Sequence, residues 1–324
     1  MVKKSVQPIR QAHGKQAHNK FDVVGVGCAA ADMLAIYEGQ IEEDQKMQVP
    51  QISRQGGGLV ATGLAAVARL GGKARYVGRL GDDDHAQFII REFQKEGVDT
   101  SCIRIQPGAS AIRSICIVNP SKGIRTIFFS MDDVPIVQPV DIVRDEVLAG
   151  KVLFVDGFQV KAAIQAARYA REVSLPTLMD AELTEPINDE LTALSTHVVA
   201  SLRFAQSRVG ECDFKEAARR LFKKLSAADP KKVVGVTSGA NGSYFVWAGG
   251  EFHQSAFKAP IVDTTGCGDV FHGAFSFGLS QGWEVKRIAE FAAAVAALKC
   301  RKLGGRAGIP NRAETEQFIA SAKG

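Results

Sequence analysis

Residues 263–275 read DTTGCGDVFHGAF, with Gly266 and Gly268 bracketing Cys267 and Asp269 following directly. Glycines at this spacing let the backbone turn so that successive N–H groups converge. The apolar run behind them predicts a helix that begins near Gly268 and adds its own unpaired donors. A cradle of this kind holds an anion such as a phosphoryl group in transfer. Asp269 then falls in the first helical turn, where the dipole favours its ionised form. A carboxylate beside an anion hole can take the proton of an attacking hydroxyl. It can equally do no more than cap the helix, and spacing alone leaves both readings open.

Other chemistry-bearing groups are less specific. GVGCAA (25–30) fits the dinucleotide pattern G-x-G-x-x-A, but that unit requires a helix directly after it and an acid about twenty residues on. ADMLAIYEG reads as strand instead. Cys28, Cys102, Cys116, Cys212, Cys267 and Cys300 form no C-x-x-C pair, so neither zinc spacing nor a disulfide framework is expected. Cys267 reads first as a small residue filling a turn, ahead of a reactive thiol whose pKa is lowered at a helix N-terminus. His272 reads as packing. Arg306, in GGRAG, reads either as a phosphate contact or as a cap on the preceding helix C-terminus.

The elements that must position these groups follow from periodicity. FDVVGVG is a buried strand, and LAIYEG and KMQVPQIS are further strands, the second marked as an edge by its proline. Residues 59–70 are helical in period, and DDHAQFIIREFQKEG is a helix with acids at its start and Gly97 past its end. SICIVNP and IRTIFFS predict a hairpin. From residue 139 strands KVLFVDGF, LPTLMDA, THVVASL and KKVVGVTSG alternate with helices. That rhythm predicts an α/β class with a parallel sheet covered on both faces. One domain is expected over 21–324, with a small β-sheet lid from about 33–55 and 102–130.

The 324 residues carry 40 Lys and Arg against 35 Asp and Glu. Residues 1–20 hold Lys3, Lys4, Arg10, Lys15 and Lys20 and no acid, so the net +5 belongs to a basic tail predicted to be disordered. The neutral remainder argues against a nucleic-acid partner. No apolar run of about 18 residues predicts a membrane span, and the start lacks the apolar core of a secretory signal. A cytoplasmic protein is expected.

DTTGCGDVFHGAF closely resembles the C-terminal signature D-T-x-G-A-G-D of the ribokinase-like (PfkB) carbohydrate kinase family. QGGGLVATGLAAVARLGGKARYVGRLGDDDHAQ is similar to the family's N-terminal signature, and VTSGANGSYF to its nucleotide loop. The likeness runs from Phe21 to about Arg312. It implies a three-layer α/β/α sandwich with a β lid, and phosphorylation of a hydroxyl group using ATP and Mg2+. By position it implies Asp269 as catalytic base, with Gly266, Cys267 and Gly268 as the anion-hole backbone. Asp263 and Thr265 match positions that hold a monovalent cation, such as K+. Asp32 matches the acid that binds substrate hydroxyls, and Gly57 and Gly58 the diglycine where the lid hinges. Thr237, Gly239 and Gly242 fall where nucleotide phosphates and ribose are held.

Departures from the pattern concern the substrate. Cys267 replaces alanine, Thr62 stands where sugar kinases carry a substrate-binding asparagine, and Ala30 replaces another polar contact. Ser201 to Phe204 (SLRF) replaces the N-x-x-E segment linked to magnesium, so Mg2+ is expected to be held mainly by ATP and water. The GGGxxAT run and ALKCRKLGGRAGIP are similar to the sulfofructose kinase branch, and Lys46, expected in a lid strand, offers a cation. Yet Phe129 and Phe158 align with that branch's sulfonate contacts, and an unclamped sulfonate is poorly held. The substrate expected is a neutral furanose or ketose-like sugar, ahead of a sulfo- or phosphosugar. A non-catalytic sugar or nucleotide sensor on the same fold is the reading from another class. Exposed lid strands predict a homodimer.

Overall fold

The computed structural model describes residues 19–323, so the expected tail lies outside the described residues except for Asn19 and Lys20. β1 (Phe21–Val26), β2 (Ala30–Ile36) and β3 (Ile52–Gly57) lead into α1 (Leu59–Arg69). β4 (Ala74–Leu80), α2 (Asp84–Lys95), β5 (Asp99–Ile105), β6 (Ile112–Asn119) and β7 (Ile124–Ser130) follow. Then come α3 (Arg144–Val147), β8 (Gly150–Asp156), α4 (Val160–Glu172), β9 (Thr177–Ala181), α5 (Asn188–Leu194) and β10 (His197–Ser201). The chain continues through α6 (Leu202–Val209), α7 (Phe214–Ser226), β11 (Val233–Thr237), β12 (Ser243–Trp247) and β13 (Gly250–Gln254). It ends with α8 (Cys267–Ser280), α9 (Val285–Lys299) and α10 (Arg312–Lys323).

Nine strands form the main sheet in the order β13-β12-β11-β10-β9-β8-β1-β4-β5. Seven of them, β11 through β5 in that order, are mutually parallel, and β12 and β13 add an antiparallel edge. The two-residue period of a strand sends neighbours to opposite faces. Val23, Phe154, Leu178 and Val199 therefore enter one core with α1, α8 and α9. Val24, Leu153, Met179 and Val198 enter the other with α4 and α7. Each such fully buried side chain contributes about 1.5–3 kcal/mol.

α1 and α8 cross in close contact because both are glycine-bearing at the crossing. A Cβ on Gly273 would stand 2.2 Å from the carbonyl oxygen of Gly63. One on Gly63 would press on Phe154 at 2.5 Å and on the Asp269 carbonyl at 3.1 Å. Small residues at this crossing thus set the depth of the helix that carries Asp269.

The lid is a separate four-stranded sheet, β3-β2-β6-β7, with β2 and β6 parallel. Register places Asp32, Gln55, Ser114 and Phe129 side by side on one face, and Met33, Arg54, Ile115 and Phe128 on the other. Two expected boundaries move. β5 pairs with β4, so residues 102–105 belong to the main sheet, where Cys102 packs near Val77. KMQVPQIS is strand only from Ile52, and Lys46 and Pro50 lie in an exposed connection. Proline lacks the N–H that a ladder needs, so pairing starts beyond it. Among the described residues no helix is long and apolar enough to cross a membrane.

Candidate active site

Parallel strands present their carboxyl ends along one edge of the main sheet, and ligands of such sheets bind there. β8 delivers Asp156 to this edge, β9 delivers Asp180, β11 delivers Thr237, and the lid stands beside it with Asp32. Lys46, expected in a lid strand, lies instead on an exposed connection.

Gly266 takes the left-handed conformation at φ 73°, and a Cβ on it would lie 2.7 Å from the Gly305 Cα. Glycine is required here twice over, by conformation and by space. The turn ends in a 3.2 Å bond from the Cys267 N–H to the Thr264 carbonyl. Among the described residues the N–H groups of Gly268 and Asp269 have no protein acceptor. The Gly266 N–H is likewise without a protein acceptor among the described residues, so of the expected Gly266–Gly268 donors only that of Cys267 is taken, and Asp269 adds one more. Asp269 does not cap α8: Gly266 is the N-cap, no side chain bonds to it, and the half-buried Asp269 carboxylate takes no hydrogen bond among the described residues.

Surrounding protein and the charge of Asp180 push the Asp269 carboxyl well above the usual carboxylate range, while His272 and Arg125 pull it down. Burial and the like charge thus oppose the helix dipole, which favours the ionised form. His272 is buried, with Nδ1 2.7 Å from the Gly268 carbonyl and 3.3 Å from Asp180, and Nε2 3.0 Å from the Val199 carbonyl. It braces the first turn of α8 against β10, which is more than packing.

Burial also raises the Asp32 carboxyl, opposed by a 2.7 Å hydrogen bond from Ser114 Oγ and by the charge of Arg306. A Cβ on Gly57 would lie 1.8 Å from Asp32 Oδ2, so glycine is what lets the acid lie across the β3 end. Gly58, at φ 88°, turns the chain into α1. Asp156 ties this hinge to the sheet. Its carboxylate accepts from the N–H groups of Cys28 (2.7 Å), Val60 (3.2 Å) and Phe158 (2.9 Å), and burial raises its pKa to about 6. Thr62 is buried close to Gly305. Arg306 neither caps a helix nor faces the cradle: it is buried over the Phe93 ring and donates to the Gly57 carbonyl at 3.2 Å.

On the nucleotide side, Thr237 ends β11 and donates to the Ala200 carbonyl at 3.3 Å. Gly239 and Gly242 turn with φ 51° and 85°, and a Cβ on Gly242 would meet the Gln254 carbonyl at 2.1 Å. From the lid, Arg125 Nη1 reaches 3.4 Å from Thr264 Oγ1, placing a cation over the cradle turn.

Behind the cradle, the Asp263 carboxylate accepts from the Thr265 N–H and Oγ1, both at 2.7 Å, and from the Gly304 N–H at 2.7 Å. The carbonyls of Asp263 and Thr265 accept instead from Lys299 Nζ, at 2.9 Å for Asp263. The place expected for a monovalent cation holds this ammonium, because the last turn of α9 runs directly beneath the loop. The alternative of a lowered Cys267 pKa is opposed by its surroundings. Its Sγ lies 2.8 Å from Cys300 Sγ, a bond that together with burial pushes the Cys267 thiol far up and leaves Cys300 lowered to about 7.

Arg125, Asp156, Asp180 and Lys299 were missed by motif reasoning. The two acids had a signal, since each closes an apolar strand run (VLFVD, TLMD) at its carboxyl end. Arg125 and Lys299 had none, being ordinary cations in a strand and a helix.

Residues 20–312 match the pfkB family carbohydrate kinase profile. The chain is 28% identical to the 5-dehydro-2-deoxygluconokinase of Bacillus subtilis (strain 168), over 92% of this chain and 96% of that one. It is 26% identical to the ketohexokinase of Mus musculus, over 86% and 95%. The ribokinase of Arabidopsis thaliana, solved with ribose and ATP, superposes with a TM-score of 0.77 at 23% identity, covering 92% of this chain and 98% of that chain. With the profile spanning both signatures and the lid between them, the chain belongs to the pfkB family of carbohydrate kinases and is a sugar kinase that uses ATP.

Proposed function

We propose that the acceptor is a hydroxymethyl group of a neutral furanose or ketose-like sugar, and that Asp269 is its general base. The observation that carries this reading is the uncapped Asp269 carboxylate beside the open N–H donors of the cradle turn. A raised pKa suits a base that must accept a proton near neutral pH. Asp32, steadied by Ser114, orients the sugar hydroxyls, and the diglycine lets the lid close over them. The acceptor oxygen attacks the γ-phosphorus as its proton passes to Asp269. The bond to the ADP oxygen breaks, and the developing charge meets the N–H groups of Gly268 and Asp269.

Thr237, Gly239 and Gly242 hold the nucleotide phosphates and ribose. Mg2+ supplies charge neutralisation on those phosphates. Among the described residues no three acidic, histidine or cysteine side chains converge into a protein cage, which fits an ion that keeps its waters. Mg2+ would therefore be held mainly by the ATP phosphates and water. Phe129 on the inner lid face meets Phe158 edge-on at 6.4 Å, and this apolar surface favours a neutral sugar over a sulfo- or phosphosugar. ADP release across neutral sugars, sugar acids and sulfosugars tests the substrate; turnover confined to sulfosugars would overturn the neutral choice. A ligand that stabilises the protein and is never turned over would point to a sensor.

The outer lid face exposes Met33, Ile52, Ile115 and Phe128, each at least 40% accessible. A second copy of the chain, lid against lid, is the occupant we assign. Light scattering should give twice the chain mass, and Phe128→Asp should halve it.

A further inference from the structure

For N–H groups of the 263–269 turn to face a transferring phosphoryl group, its carbonyls must point the opposite way. Those of Asp263 and Thr265 converge behind the cradle, and converging carbonyl dipoles need a positive charge between them. Both accept from Lys299 Nζ, the last residue of α9, which has no solvent exposure. The same residue's neighbour binds the turn a second time, because the Cys300 carbonyl accepts the N–H groups of Val262 (2.8 Å) and Asp263 (3.1 Å). The Asp263 carboxylate is turned elsewhere, with Oδ1 taken by Thr265 and Oδ2 by Gly304. An ammonium and a potassium ion have similar size and equal charge, so the two cannot share this buried cup.

We propose that Lys299 is a positioning residue whose ammonium is a built-in monovalent cation, so that turnover of this kinase needs no potassium. The charge stays behind the cradle through every cycle, holds the turn in its anion-binding shape and adds to the field felt by the phosphoryl oxygens. The proposal rests on the kinase reading only for its rate effect; the occupancy of the cup stands on geometry alone.

The experiment compares ADP release, with the sugar that the panel identifies, in potassium, sodium and tetramethylammonium chloride at equal ionic strength. The wild-type rate should be the same in all three, and specific activation by potassium would overturn the proposal. Lys299→Ala should lose about tenfold to a hundredfold in kcat in tetramethylammonium, less than the hundredfold to thousandfold of removing a direct anion-hole donor. Potassium or methylammonium should restore part of that loss, a rescue that a merely structural role would not show. An unchanged variant rate in tetramethylammonium would also overturn the proposal. Thermal melting supplies the second readout. Potassium over sodium should raise the melting temperature of Lys299→Ala and leave the wild type unmoved, and a potassium-specific shift of the wild type refutes the filled cup. If the variant does not fold, the wild-type arms decide. If no sugar is turned over, the kinase reading fails while the melting arms still test the cup.

Discussion

Lys232 and Lys299 are both completely buried, and both end among backbone carbonyls rather than carboxylates. Lys232 stands just before β11, at the amino edge of the sheet, and donates to the carbonyls of Thr192 (3.2 Å), Ala193 (3.1 Å) and Ser195 at the end of α5. Lys299 stands at the carboxyl edge and closes the carbonyls behind the cradle turn. The chemistry is the same: an ammonium satisfies acceptors that would otherwise be buried and unpaired. What differs is the other side of the peptide groups. The α5 carbonyls belong to a helix end that faces no ligand, whereas those of the turn belong to residues whose neighbours donate into an open cleft. Burial of a charge therefore does not mark a functional site. Its position along the strands does.

Changes at the carboxyl edge should alter rate, and changes at the amino edge should alter stability. The largest effect belongs to Asp269→Asn, which should lower kcat by about 10²- to 10⁴-fold while sugar binding by calorimetry is kept. Retention of the rate would remove the reason for treating this edge as catalytic. Arg125→Met takes away the lid cation beside Thr264 and should lower kcat/KM for ATP by about tenfold to a hundredfold, the worth of one charge-assisted hydrogen bond. A change in KM for the sugar alone would place Arg125 over the sugar instead.

At the other edge, Lys232→Met leaves carbonyls without a donor and should cost about 1–3 kcal/mol of stability in denaturant melts, with kcat unchanged. Burial lowers the Lys232 pKa to about 8. Between that value and its unfolded value of 10.5 the unfolded chain binds the extra proton, so stability contributed by this group rises with pH across that window. The difference between wild type and Lys232→Met should therefore grow from pH 8 to 10.5. The smallest effect is in the pH profile. Activity should fall as acid protonates Asp269, and Asp180→Asn should move that limb to lower pH, because it removes the like charge that raises the Asp269 carboxyl. An unmoved limb would mean that another group controls it.

Much of this was legible before folding. A turn of Gly266, Cys267 and Gly268 followed by an acid carries its own chemistry, since backbone conformation and helix start are local properties. The strand–helix rhythm after residue 139 carried the parallel sheet for the same reason. Period-two burial then assigns alternate residues such as Leu153 and Phe154 to opposite cores. The lid hairpin was legible too, but Lys46 was misplaced because a short polar run with one proline does not say where pairing begins.

Contacts between segments far apart in sequence were decided by the fold alone. Whether Asp269 caps its helix depended on whether its carboxylate found a donor, and its charge depended on Asp180, which lies 89 positions away on another strand. The occupant of the cup behind Asp263 depended on where α9 ends, some thirty-six residues on. Local geometry writes the motif into the chain, whereas electrostatic surroundings are set by neighbours that only packing brings together.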